Sequence, residues 1–450
     1  MRNLFNITIF FFIISSSLIF PQETSVTIYN DNLGVVKEVR SINLNKGISK
    51  IRITDVPSKI DPTSVHLKFD GKVLEQNYKY DLANMGTILS KYIDKQVSAA
   101  DSKGAKISGK LLSAQNGRLV LQEKNGGLLM IPDYKNYSIS VNKLPDGLIT
   151  MPTLEYLVNS KSDGKNNVEL SYLTSGLSWD AQYVLVLSEN ESKLNLNSWV
   201  SITNQSGATF NNAKLKLVAG DINRVRSNLH EPIYMTAKNY GTNNEQAFEG
   251  RTFFEYHLYD LKRRTTLANN EKKQIAFISA ENITANKIYR FSSYLYEKQS
   301  KENVDVVINF ENNSQNNLGV ALPAGKVRIF KKDKESLELI GEDMINHTPK
   351  DETIKLKVGK AFDVLASAKN LKREIISNDV TEITRAVTIN NHKDIPITVE
   401  IVQMFTGNWQ LISSDFDYVK IDANSALFKI PVTANGKTKL GLTVRIVRQK

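Results

Sequence analysis

The chain has 450 residues, a net charge of +11 from 58 Lys and Arg against 47 Asp and Glu, and no cysteine. That length exceeds what one hydrophobic core ordinarily supports, so about two to four domains are expected. Without cysteine there is no disulfide framework, thiol nucleophile, thiolate metal site or cysteine-borne lipid anchor. The positive charges are scattered, which reads as a solvated surface with a mild cationic bias and supplies no basic arm for nucleic acid.

The chain opens with Arg2, an apolar run over residues 7–14, three serines and a second short apolar run ending at Phe20. This reads as a secretory signal peptide over residues 1–22, cleaved near Phe20 or Gln22 although no A-x-A-like pair precedes Pro21. The alternative is an uncleaved anchor, for which the run is short. The expected location is the periplasm or cell envelope, with membrane contact only through this segment.

Residues 23–80 alternate apolar and polar throughout and predict a small amino-terminal β-domain. Breaks at residues 30–32 and 45–47 read as hairpin turns. Residues 81–150 predict a short amphipathic helix built on Leu82, Ile88, Leu89, Tyr92 and Ile93, then a small SH3-like barrel of brief strands with glycine turns. Those strands carry almost no aromatic residues for stacking on a base, so the barrel reads as an inserted structural module.

The strongest pattern spans residues 172–221, within a first β-sandwich part over residues 151–226. Trp179, Ala181, Tyr183, Leu185 and Leu187 share one face of an extended run, and Leu194, Leu196, Val200 and Ile202 share one face of the next. With Leu215 and Leu217 they predict consecutive antiparallel strands of one sandwich sheet. Residues 227–250 are polar and aperiodic and predict a mobile loop. Alternation then resumes over residues 251–450 as a carboxy-terminal sandwich of immunoglobulin-like type, with Asn435-Gly436 in the last turn. The fold class expected for the whole chain is all-β.

Four passages carry a resemblance to a known family: GLSWDAQYVLVL with NQSGATFNNAKLKLVAGD, FFEYHLYDL with QIAFISAENITANKIY, GKVRIFKK with LIGEDMINHTPKDETIKLKVGKAFDV, and TINNHKDIPITVEIVQMFTGNWQL with KIPVTANGKTKL. In order and spacing, residues 168–447 resemble a bacterial family catalogued as domain of unknown function 4139, and residues 26–65 look like its leading β-domain. The resemblance implies an exported protein of the envelope. It supplies no catalytic residue.

Candidate chemistry is sparse. His66, His230, His257, His347 and His392 show no metal-ligand spacing, and there is no G-x-S-x-G elbow or phosphate-binding glycine loop. No cofactor or metal is expected. Asp415 and Asp417, two apart, are the one pair a carboxylate-dependent glycan hydrolase would use, against a plain polar connection. Asp180 and Asp221 read as turn-holding residues.

Aromatic residues give the one binding lead. Trp199 is out of phase with Leu196, Val200 and Ile202, so it points away from their face and is either an interdomain or an open surface contact. Trp409 follows Thr406-Gly407-Asn408 at a turn, where it packs at a strand end or stacks on a sugar ring. The resulting expectation is a non-enzymatic structural or interaction module of the envelope, with a partner protein or a glycan as its target.

Overall fold

Where the sequence alternates most cleanly, the chain is strand. Leu177–Leu187 buries every second residue from Trp179 to Leu187, and Lys193–Asn204 buries Leu194, Leu196, Val200 and Ile202. The computed structural model describes residues 23–80, 84–220, 248–253 and 255–447. The signal peptide expected over residues 1–22 lies outside them, as do His230, Asp221, Leu82 and most of the loop expected over 227–250. The fold is all-β, and the chain divides into two units, crossing between them several times between residues 178 and 273.

The first unit holds residues up to 178 with 203–216 and 263–272. Glu23–Tyr29 and Leu33–Leu44 form a hairpin in which Tyr29 faces Leu33, turned through Asn32 in the left-handed region at φ 47°. The break at residues 45–47 is not a second hairpin. Leu33–Leu44 pairs with Gly164–Thr174, while Gly47–Ile53 packs against Thr153–Ser160. Gly164–Thr174 therefore completes the amino-terminal sheet rather than opening the sandwich, with His66–Lys68 on its far side. Local periodicity specifies which face of a strand is buried and is silent about which distant strand it pairs with.

Between Gly71–Lys79 and Thr153–Ser160, which pair with each other from Lys79 facing Thr153, the small module is inserted. Its helix, Met85–Lys91, starts where the Asn84 side chain accepts from the Thr87 N–H while the Thr87 hydroxyl oxygen accepts from the Asn84 N–H, both at 3.0 Å. The strands Gln96–Ala100, Lys106–Gln115, Arg118–Gln122, Leu128–Ile131 and Ser138–Ser140 follow. The last of these lies beside the first, as in a small SH3-like barrel. Leu89, Tyr92, Val97, Leu111, Leu119, Leu121 and Ile131 form a core of its own. Gln96–Ala100 was not legible as a strand, because its small residues Ser98, Ala99 and Ala100 carry weak β propensity.

The second unit is a β-sandwich. One sheet runs, edge to edge, Glu271–Thr284, Lys193–Asn204, Leu177–Leu187, Gly325–Asp333 and Ser336–Ile345. Leu177–Leu187 and Gly325–Asp333 pair in parallel. The other sheet has nine strands, with Asn408–Ser414 and Tyr418–Asp422 at its two edges and the 25-residue strand Thr353–Ser377 near its middle. Tyr183, Leu185, Leu196 and Val327 of the first sheet meet Phe310, Ile354 and Leu356 of the second. A further core lies within the nine-stranded sheet, where Val399, Ile401, Phe428 and Ile430 pack with Val387, Ile389, Leu442 and Val444. Residues 172–220 are thus distributed over two sheets: the chain leaves the amino-terminal sheet at Gly176 and returns to it with Phe210–Ala219, so the strand of Leu215 and Leu217 is not the next strand of the sandwich sheet.

Candidate interaction face

Strand alternation turns Trp199 outward, opposite to buried Val200, and its side chain is left 43% exposed. Asn195 and Asn197 share that outward face. Their side-chain oxygens accept from the Asn282 N–H at 3.0 Å and the Ser279 hydroxyl at 2.8 Å, which fixes the amides along one side of the tryptophan.

On the neighbouring strand Leu177–Leu187, the outward residues are Asp180 and Gln182, followed by the half-buried Val184 and Val186, because Trp179, Ala181, Tyr183 and Leu185 are buried. The Gln182 amide donates to the Asp180 carboxylate, and its oxygen accepts from Arg328 at 3.3 Å. Arg328 also donates to Glu342 at 2.8 Å, and Lys326 lies 3.6 Å from the same carboxylate. The face therefore presents one large aromatic ring beside charged and amide groups already fixed by one another. Such an arrangement is suited to stacking and hydrogen bonding, with its carboxylates, Asp180 and Glu342, engaged by Gln182, Arg328 and Lys326.

Trp409 is placed differently. Its ring stacks on Phe405 with centroids 4.2 Å apart, the Lys420 ammonium lies over the ring 5.0 Å from its centroid, and the indole N–H donates to the Ala423 carbonyl at 2.7 Å. The Phe405 ring occupies one face and the lysine lies over the indole as well, so Trp409 is packed against the core of the nine-stranded sheet.

Asp415 accepts from the Gly441 N–H at 2.7 Å, while its own N–H donates to the Gly441 carbonyl at 3.0 Å. The carboxylate thus anchors the connection between two strands, and Asp417 is exposed beyond Phe416. His66 and His392 are exposed. The Nδ1 of His347 accepts from the Ala324 N–H at 3.1 Å. Burial, with His347 as a second cause, holds His257 below the usual histidine range, and its ring stacks against Tyr259. Among the described residues, no three His, Asp or Glu side chains gather as a metal site.

Among the described residues, three buried charged groups, at two sites, stand outside any sequence motif. Glu38 and Arg40 form an ion pair at 2.6 Å inside the first unit, and Tyr172 donates to Glu38 at 3.2 Å. Arg385, fully buried, donates to the Ser293 hydroxyl, the Leu295 and Glu297 carbonyls, and the Asn370 and Gln299 side chains, at 2.8 to 3.2 Å. Burial pulls its pKa down to about 10. The signal was available: Arg385 is in phase with Ile383, Val387 and Ile389, and Glu38 and Arg40 with Val36, Ile42 and Leu44. Comparison with known proteins finds no matching family model and no match among the curated proteins.

Proposed function

We propose that the protein is a non-enzymatic, exported module of the bacterial envelope that works by binding, with the face around Trp199 as its contact surface. The observation that carries this reading is the 43% exposure of a tryptophan on the outer side of a strand whose Leu194, Leu196, Val200 and Ile202 point inward. Tryptophan is enriched among the residues that anchor protein interfaces, and here the amides beside it are already held in place. Export rests on Arg2 and the apolar runs behind it, and membership of the family resembling domain of unknown function 4139 rests on the four passages quoted above.

The test is a photo-crosslinking residue placed at position 199 in living cells, with the exposed position of Ile48 in the first unit as control. Adducts to one envelope component formed at 199 and not at 48 are expected. Equal or absent adducts at both positions would overturn the reading.

A second reading, glycan binding, is supported by the same bare ring and by the amides of Asn195, Asn197 and Gln182 around it. Retention on immobilised envelope polysaccharide, lost in Trp199→Ala and unchanged in Trp409→Ala, would favour it. A hydrolase acting through Asp415 and Asp417 has less support, because the Asp415 carboxylate is engaged by the Gly441 N–H. Turnover abolished by Asp415→Asn or Asp417→Asn would reinstate it.

A further inference from the structure

Strand Thr353–Ser377 outruns its partner. On one edge it pairs with Gln299–Glu311, a ladder that ends where Gln299 faces Ala368. On the other edge it stays paired with Val380–Asn391 as far as Ser377 facing Val380. Among the described residues, 369–377 therefore carry a strand on one side only, and every one of them is exposed.

The ladder ends at the turn between Asn286–Tyr294 and Gln299–Glu311, and Arg385 holds that turn. Its hydrogen bonds to the Leu295 and Glu297 carbonyls and to the Gln299 side chain, with the Asn370 amide donating to Leu295 at 2.8 Å, hold residues 294–299 as a turn. A chain clamped in that turn cannot continue as a strand along 369–377. The free edge is therefore built at the cost of burying a guanidinium whose hydrogen-bond acceptors are all neutral, the Glu297 carboxylate acting on it without a hydrogen bond.

Geometry and charge together define what fits. Backbone N–H and C=O groups along an open edge pair with an extended chain. Leu371 is 50% and Ile375 73% exposed, giving an added strand apolar side chains to cover. Lys369, Arg373 and Lys298 form no ion pair among the described residues, whereas Lys372 is paired with Glu374. The excess positive charge opposes a like edge and favours a carboxylate-bearing one.

We infer that residues 369–377 are a docking edge for an extended acidic segment of a partner protein, which adds as a further strand. This surface is separate from the face around Trp199, so either site can fail without the other.

The experiment titrates the full chain into trace fluorescein-labelled ten-residue peptides at low salt, alternating Glu with Val or Lys with Val, and uses the unlabelled peptides in ~1 mM excess for hydrogen exchange. The Glu peptide is expected to raise anisotropy saturably and to slow hydrogen exchange at the amides of 369–377. The double variant Lys369→Glu with Arg373→Glu is expected to weaken it by about tenfold. The same peptide N-methylated at alternate residues is expected not to bind. Binding by both charge types alike, binding by the N-methylated peptide, protection elsewhere in the chain, or no binding at all would each overturn the proposal. So would protection of 369–377 that depends on protein concentration alone, because the occupant would then be a second copy.

Discussion

A charged side chain in phase with buried apolar ones has two outcomes: the strand turns over, or the charge is buried and must be paired. Both Arg385 and the Glu38–Arg40 pair take the second course. Arg40→Met leaves the Glu38 carboxylate inside the first unit with only Tyr172 as a partner, and should destabilise that unit by about 3–5 kcal/mol. Replacing both charges, Glu38→Leu with Arg40→Met, should cost less than Arg40→Met alone; urea denaturation of the three variants checks the order. Arg385→Lys keeps a charge but not the fork that reaches all five acceptors. Hydrogen exchange at residues 294–299 should accordingly accelerate. His257 gives the pH dependence. Its folded pKa lies below the ordinary 6.5, so the unfolded chain takes up the proton more readily. The stability it contributes is complete above pH 6.5 and falls as pH drops below that value towards the folded pKa. Thermal unfolding between pH 7.5 and 5 should show that decline, reduced in His257→Gln.

At the scale of elements, burial was readable and pairing was not. Leu440, Leu442, Val444 and Ile446 are buried as their alternation implies, and Asn435 turns with φ 50° before the last strand. Ile395, in phase with Val399 and Ile401, is instead exposed in the connection that precedes Ile397–Met404, because phase alone does not mark where a strand begins. The partners of Leu33–Leu44 and the break in the run at Gly176 depend on contacts distant in sequence. Gly176 sits at φ 84° with its N–H donating to Asn32 at 2.7 Å, and an added Cβ would lie 2.6 Å from the Gln205 carbonyl oxygen. Gly176→Ala should therefore cost more than the ~1 kcal/mol of an ordinary left-handed glycine, while Gly47→Ala, at φ 87° in open space, should cost about that amount. Comparing their thermal midpoints tests whether the close approach adds to the strain. The candidate face was half legible: the phase of Trp199 and of Asn195 and Asn197 beside it could be read, but Arg328, which holds Gln182 on the same face, and Glu342, which holds Arg328, come from strands more than a hundred residues away.

At the scale of the whole chain, the organising fact is that the small barrel interrupts a strand pair without disturbing it. Lys79 and Thr153 face each other in the ladder of Gly71–Lys79 with Thr153–Ser160, so the segment between them leaves and rejoins that strand pair at neighbouring points. Within that segment, Leu89, Leu111, Leu119 and Leu121 are satisfied by one another. The Tyr92 hydroxyl donates to the Lys143 carbonyl at 2.7 Å and accepts from the Lys143 N–H, which ties the start of the module to its exit. Entry and exit that are adjacent, with a separate core, make the module removable. Replacing residues 80–152 by Asn-Gly turns the two flanking strands into an ordinary two-residue hairpin. The shortened chain should keep its strand signature in circular dichroism and its exchange protection along 71–79 and 153–160. Loss of protection in both strands would mean that the barrel supports the sheet it interrupts. If protection survives, the module is an addition to a fold that is complete without it, and binding at Trp199 and along 369–377 should be unchanged in the shortened protein.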